Sequence, residues 1–214
     1  MITPTVTITL LGIVTVLIAL GFGERVLERM RLNTTAAIIL LLAMVGAHFL
    51  PELAVFPGFR VHLGALILSG IVTYLLTTTS AQEALRGLLV SVITGAIIWL
   101  SDKLLPIDPE SSWFTIDPLF VSGIVAGLTA YVLGRSRRSA FCGAILGLLF
   151  VDIANIIELS RLGTGQTLEI GGGGLLAAMA LNPLIAVGIA EVIGEIRERL
   201  HRDKVLTSGS DDNE

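Results

Sequence analysis

Three polar residues recur at intervals of three within the apolar stretch FVDIANIIEL, residues 150–159: Asp152, Asn155 and Glu158. A charged side chain at the centre of a membrane-spanning helix costs about 2.5–3.5 kcal/mol on insertion scales, so such residues usually face protein or water and serve a function. Successive residues at this spacing drift by about 60° around a helix, and the three therefore share one broad face. We expect Asp152 to be a proton or cation site below an outer vestibule formed by Glu158. The alternative is a structural hydrogen bond between helices.

Four consecutive glycines follow in the stretch EIGGGGLLAA, residues 169–178. Each glycine in a helix costs about 1 kcal/mol relative to alanine, but glycine also permits unusual backbone angles and close approach of another segment. Many transporters build ion and solute sites from broken helices. We therefore predict a broken helix entry beside Asp152, with backbone groups for an ion or solute supplied by Gly171, Gly172 and Gly174.

Further polar candidates lie elsewhere in the apolar segments. Asn182 precedes Pro183 and predicts an interruption near the middle of the last span, although a packing kink fits equally well. His48 and His62 belong to different spans, where they are interfacial residues or a weak metal or proton-relay pair. Two histidines and a carboxylate can bind zinc, but the HExxH motif is absent. Glu191 is either interfacial or a cytoplasmic exit for protons.

The composition predicts the elements that must position these residues. The chain is 53% hydrophobic, 15% charged and has a mean hydropathy of +0.85, whereas soluble domains carry about 25% charged residues. Its apolar blocks approach the ~20 residues that cross a bilayer as a helix. We predict an all-α, polytopic transmembrane helical bundle over residues 1–205 and a disordered tail over 206–214. The seven predicted spans are 5–23, 34–50, 61–79, 87–104, 118–134, 139–158 and 171–194.

The basic residues predict the orientation of this bundle. Loops on the cytoplasmic side of a membrane carry an excess of Lys and Arg. Three basic residues fall on one predicted side: Arg60, Lys103 and Arg161. The remaining eleven of the 14 fall on the other: Arg25, Arg29, Arg31, Arg86, Arg135, Arg137, Arg138, Arg197, Arg199, Arg202 and Lys204. The N-terminus is therefore expected outside and the C-terminus in the cytoplasm. This places His48, Glu52, His62, Asp152, Glu158 and Glu169 in the external half.

Small residues four apart occur in the fifth and sixth predicted spans, as Gly123 with Gly127 and Gly143 with Gly147. This spacing lets helix backbones approach closely within lipid. We predict that these two spans pack against each other at these glycine faces.

Three stretches, RVHLGALIL, LFVDIANII and EIGGGGLLAA, resemble in order and spacing the motifs of a prokaryotic multi-pass membrane protein family of unknown function. The resemblance covers about residues 60–185 and is carried by Val61–Ile67, Phe150–Ile156 and Ile170–Gly174. His62 stands where that family tends to have Asn, and Ala177 where its third motif carries Asp. An aspartate in the second motif, here Asp152, together with one in the third motif resembles the pair of intramembrane aspartyl proteases, in which two carboxylates share a proton. Ala177 leaves the second aspartate missing.

Three classes of function remain open. We favour a small permease, channel or proton- or cation-coupled transporter in the plasma or inner membrane of a prokaryote. The second class is a non-catalytic membrane subunit or scaffold, and the third is a membrane-embedded hydrolase that resembles aspartyl proteases but lacks the second Asp. We assign no catalytic residue, cofactor or resident metal. The expected partners are the lipid bilayer, a small solute or cation, and a second copy or another membrane protein, but no nucleic acid.

Overall fold

A computed structural model describes residues 4–104, 121–134, 136–162, 167–172 and 174–208. Within these ranges the chain forms eight helices and one small sheet. The helices are α1 Pro4–Ala19, α2 Glu24–Arg29, α3 Thr34–Ala47, α4 Leu63–Thr77, α5 Ala81–Leu104, α6 Val121–Gly134, α7 Arg137–Leu162 and α8 Leu175–Ser208. The strands are β1 Glu52–Phe56, β2 Phe59–His62 and β3 Leu168–Ile170.

Each of the seven predicted spans overlaps one helix of 14 residues or more, so the helical class is confirmed. The helices α5, α7 and α8 are long and apolar enough to cross a membrane. The helices α1, α3, α4 and α6 are apolar but have only 14 to 16 residues each. These features are compatible with a membrane protein.

The small sheet was not predicted, and it shortens two of the predicted spans. Helix α3 ends at Ala47 rather than at residue 50, and α4 begins at Leu63 rather than at residue 61. The intervening segment forms the antiparallel pair β1–β2, which reverses at Pro57-Gly58, where Gly58 has a φ of +83°. Strand β2 also pairs in parallel with β3, with Val61 opposite Ile170. The sheet therefore joins two loops that lie more than 100 residues apart in the chain.

Two groups of buried residues form the core. Large apolar side chains of α1, α3, α4, α7 and α8 pack together, with Leu11, Met44, Leu68, Ile145 and Met179 fully buried. A second group joins α5, α6, α7 and α8 and contains one valine and six alanines: Val90, Ala126, Ala130, Ala140, Ala144, Ala186 and Ala190. Because alanine is small, the backbones of these four helices approach closely.

The glycine faces of α6 and α7 pack against other helices than predicted. A Cβ atom on Gly127 would lie 2.8 Å from the carbonyl oxygen of Ala186 in α8. A Cβ atom on Gly147 would lie 2.7 Å from a methyl group of Thr94 in α5. The predicted pairing of the two glycine faces with each other is therefore wrong. Small residues at this spacing show that a backbone approaches closely, but they do not identify which helix supplies it.

Helix α8 is also more continuous than predicted. It runs from Leu175 through Pro183 to Ser208, so the expected interruption at Asn182-Pro183 is wrong. Proline removes one backbone donor, but the flanking hydrogen bonds and packing keep the helix intact here. Helix α8 also extends beyond residue 194, where the last predicted span ends, up to Ser208. Residues 209–214, most of the tail predicted over 206–214, lie outside the described ranges.

The outer surface of the bundle is apolar along several helices. In α5, only 28% of the most apolar stretch of 18 residues is buried inside the protein. Its exposed apolar side chains are Leu85, Leu88, Leu89, Val92, Ile97, Trp99, Leu100 and Leu104. Soluble monomers rarely expose a continuous apolar surface of this extent. The surface of α5 is suited to lipid or to another apolar partner.

Candidate functional site

Asp152 lies on α7, half-buried, and binds the glycine-rich segment. Its Oδ2 accepts a hydrogen bond from the backbone N–H of Gly171 at 2.8 Å. Gly171 follows β3 directly and has a φ of +77°, a left-handed conformation that residues with a Cβ rarely adopt. The carboxylate therefore holds the turn that leads from the sheet into α8.

The start of α4 closes the other side of this turn. A Cβ atom on Gly171 would lie 2.8 Å from the Cβ of Ala65 and 3.3 Å from that of His62. His62 caps α4, where its Nδ1 accepts the backbone N–H of Gly64 at 3.0 Å. The structure thus brings Asp152, Gly171 and His62 together, one from each of the three motif-like stretches.

Two of the three predicted glycine carbonyls accept hydrogen bonds at the start of α8. The N–H of Leu175 donates to the carbonyl of Gly172 at 2.9 Å, and that of Ala177 donates to the carbonyl of Gly174 at 3.1 Å. Gly174 has a φ of +87°, and a Cβ atom there would meet nothing within 4 Å. These two glycines therefore shape the entry of α8.

His48 lies at the end of α3, near the start of α4. Its Nδ1 lies 2.9 Å from the carbonyl of Met44, so Nδ1 carries the hydrogen and donates it. The buried Nε2 has no hydrogen-bond partner in the described part of the chain. Among the described residues, no three His, Cys, Asp or Glu side chains lie close enough together to hold a metal ion.

The acidic residues on the sheet form an exposed group around one arginine. The guanidinium of Arg60 lies 3.6 Å from the carboxylate of Glu52 and 3.8 Å from that of Glu169. Exposed ion pairs of this kind contribute about 0–1 kcal/mol each.

The structure separates Glu158 from Asp152. Glu158 pairs with Lys103 of α5 and lines a cleft of about 450 Å³ with Trp99 and Arg161. Six residues along a helix leave about 120° between two side chains, which explains the different neighbours. Asn155 lies between them, half-buried, and makes no hydrogen bond within the described residues. The three residues predicted to share one face therefore do not form one group: Asp152 contacts the glycine-rich turn, and Glu158 contacts α5.

Asn182 belongs to a helix interface. It is fully buried, and its Nδ2 donates to the hydroxyl of Ser122 on α6. A Cβ atom on Gly123 would lie 3.0 Å from the Asn182 carbonyl oxygen, so the two helices are in close contact there. This side chain joins α6 to α8 and does not take part in the Asp152 group.

A second polar cluster, at the end of the bundle where α7 begins, was not foreseen as a unit. The carboxylate of Glu191 accepts hydrogen bonds from two guanidinium groups, from Arg29 Nη1 at 3.0 Å and from Arg137 Nε at 2.8 Å. The Arg137 side chain is only 9% exposed. Burial opposes the charge of Arg29, but the carboxylates of Glu191 and Glu198 outweigh it and raise the pKa of Arg29. Arg29 therefore remains charged at neutral pH.

Glu83, near the start of α5, lies in a similar environment. Its carboxylate accepts hydrogen bonds from the hydroxyls of Thr79 at 2.6 Å and Ser136 at 2.8 Å, and lies 3.5 Å from Arg31. The buried Arg138 donates to the hydroxyl of Thr78. One sequence signal could have suggested these contacts, since the topology rule places both Glu83 and Glu191 on the basic side.

No protein family, curated protein or solved structure matches this chain. The resemblance to a prokaryotic membrane family therefore stays a prediction.

Proposed function

We propose that this protein is an integral membrane protein with seven spans, its N-terminus outside and its C-terminus in the cytoplasm of a prokaryote. The apolar exposed surface of α5 and the three long apolar helices support a place in the membrane. The orientation is supported by the bias of basic residues, which assigns to the cytoplasm the side that carries Arg29, Arg31 and Arg137. These arginines form ion pairs with Glu191 and Glu83 at that end.

The shorter helices are consistent with this arrangement. A helix of 14 to 16 residues rises about 21–24 Å, which is less than the ~30 Å hydrocarbon core. Non-helical segments that pack against protein can complete the crossing of the bilayer, and the bilayer can thin locally around a short span. In this proposal the α3 and α4 spans are completed outside by the β1–β2 hairpin, and the α1 span is completed inside by α2.

We further propose that the protein is a small permease or a proton- or cation-coupled transporter that uses Asp152. The observation that carries this proposal is the hydrogen bond from the Gly171 N–H to the half-buried Asp152 carboxylate. Hydrogen bonds to an ionised carboxylate are roughly twice as strong as neutral ones. Protonation or cation binding at Asp152 would therefore weaken its hold on the turn. Occupancy of the carboxylate is thereby coupled to the position of the α8 entry.

The same contact favours one alternative. A carboxylate satisfied within its own chain can simply hold a turn, as expected of a non-catalytic membrane subunit. The hydrolase alternative lacks comparable support, because Ala177 is buried where a second aspartate would be needed.

Asp152→Asn separates transport from a structural role. Asparagine keeps an oxygen that accepts the Gly171 N–H but cannot take up a proton or carry a charge. We expect purified wild-type protein in liposomes to carry protons or a monovalent cation down an imposed gradient. The flux is followed with an internal dye sensitive to pH or, for a metal cation, with an internal dye sensitive to that cation. D152N should lose this flux while remaining folded by circular dichroism.

Glu52→Gln is the matched control, because it removes a carboxylate from the exposed sheet at the same end of the molecule. It should retain the flux. Equal flux for wild type and D152N, or wild-type flux no higher than in protein-free liposomes, would favour the subunit alternative.

A further inference from the structure

An apolar cavity of about 350 Å³ lies between α1, α2, α3 and α8. Eighteen residues line it, all of them apolar or glycine, among them Leu17, Leu41, Met44, Phe141 and Val187. It follows α3 from Ala37 to Met44, a distance of about 10 Å at the rise of a helix. The cavity is partly open to the surface, since Leu17, Phe22 and Gly188 of its lining are exposed, and its apolar walls are therefore accessible to a ligand.

The cavity meets a charged cleft at α2. Val26 lines both the cavity and the cleft, whose other lining residues are Arg25, Glu191, Val192, Glu195, Ile196 and Arg199. Glu191 is neutralised by Arg29 and Arg137, and Glu195 lies 3.3 Å from Arg199. Arg25 is exposed and has no ion pair among the described residues, so its charge is available to a ligand at the α2 end of the cavity, which we call its mouth.

We propose that this cavity and its mouth bind one anionic phospholipid, with part of an acyl chain in the cavity and the phosphate at Arg25. The apolar walls select a hydrocarbon chain, and the free guanidinium selects a negatively charged headgroup. Basic pockets between helices on the cytoplasmic side of a membrane bind such headgroups. The proposal rests on the proposed place of the chain in the membrane, which puts this mouth at the cytoplasmic leaflet.

The length of the cavity argues against a helix as its occupant. The cavity follows α3 for about 10 Å, which is less than two turns of a helix. A neutral hydrocarbon would fit the walls but would make no use of the charge of Arg25.

Two substitutions test the tail and the headgroup separately. Gly188 lines the cavity on α8, and a Cβ atom there would meet nothing within 4 Å, so Gly188→Leu fills the cavity without an immediate clash. Gly70→Leu is its matched control, because Gly70 has equal space on α4 but does not line the cavity. Arg25→Gln removes the cation at the mouth.

The measurement is the amount of phosphatidylglycerol retained per protein after detergent purification from mixed phosphatidylglycerol and phosphatidylcholine vesicles, read by native mass spectrometry. We expect one phosphatidylglycerol on the wild type and on G70L, and loss of it in G188L. R25Q should lower the preference for phosphatidylglycerol over phosphatidylcholine about fivefold, the effect of one cation near a membrane surface.

Equal retention in G188L and wild type, an equal preference in R25Q and wild type, or a protein dimer that G188L disrupts would each overturn the proposal. Carbonate washing of the source membranes distinguishes the two failures. A chain released by carbonate is not embedded, and both the membrane proposal and the lipid site then fall. A chain that stays in the pellet but shows any of the three contrary results loses the lipid site alone.

Discussion

The contact of Glu191 with two arginines gives the sharpest expectation for stability. Glu191→Gln keeps the size of the side chain but removes the negative charge that Arg29 and Arg137 share. Breaking a buried ion pair by removing one partner costs about 3–5 kcal/mol, because the remaining charge stays buried. Arg137 is 9% exposed but Glu191 is 19% exposed, so we expect the lower end, about 3 kcal/mol.

Glu198→Gln is the matched control, since Glu198 also binds Arg29, at 3.0 Å, but is 57% exposed. An exposed pair of this kind is worth about 0.2–1 kcal/mol. The two variants therefore remove the same charge from positions two turns apart on α8 and should differ by about 2 kcal/mol or more in unfolding free energy.

The chain contains its own reporter for this measurement. Cys142 is the single cysteine, and it is fully buried in α7, five residues after Arg137. A thiol reagent added in mild detergent reacts with it when the bundle opens, and its rate follows the opening equilibrium if opening and closing are fast. A loss of 3 kcal/mol raises that rate about a hundredfold. The E198Q variant should change it fivefold or less. Equal labelling rates in E191Q and E198Q would refute the assignment of a buried, structurally important pair.

Two glycine pairs give further tests. Gly127→Ala places a methyl group 2.8 Å from a backbone oxygen of α8 and should lower the unfolding free energy by about 1–3 kcal/mol. Gly70→Ala, where a Cβ has open space, should raise it by up to about 1 kcal/mol through helix propensity. Thermal unfolding in detergent compares the two variants, and equal shifts would contradict the α6–α8 contact. Gly171→Ala and Gly174→Ala both force alanine into a left-handed conformation, at about 1–2 kcal/mol, but only the first also meets a neighbour at 2.8 Å. The thiol reagent should therefore label Cys142 faster in the Gly171→Ala variant than in the Gly174→Ala variant. The reverse order would contradict the geometry of the turn.

Much of the helical framework could be predicted because length and apolarity are local properties. The predicted segment 139–158 lies within α7, and 87–104 lies within α5. The hairpin was missed although its signal is local too, since Pro57-Gly58 between apolar residues is typical of a turn between strands. The prediction treated residues 51–60 as a connection between two spans and began the second span at residue 61, so that it included the last two residues of β2.

The candidate site could be predicted only in part. The glycine run suggested an unusual backbone beside Asp152, and Gly171 does bind that carboxylate. The partners of Glu158, Asn182 and Gly127 could not be read in the same way. Each depends on which helix packs alongside, a long-range choice that spacing within one helix does not encode.

The two ends of the bundle differ in a way that bears on mechanism. At the basic end, Glu191 and Glu83 each accept several contacts from charged or hydroxyl side chains, so moving them would break several interactions at once. At the opposite end, one backbone hydrogen bond joins the Asp152 carboxylate to the turn before α8, and Gly171 of that turn also packs closely against Ala65 of α4. A change in the charge of Asp152 would therefore weaken a single electrostatic contact of this turn, because a hydrogen bond to an ionised carboxylate is stronger than one to a neutral group. In the proposed transporter, the basic cluster with its several contacts would be the fixed end, and the turn held by Asp152 would be the part that responds to its charge.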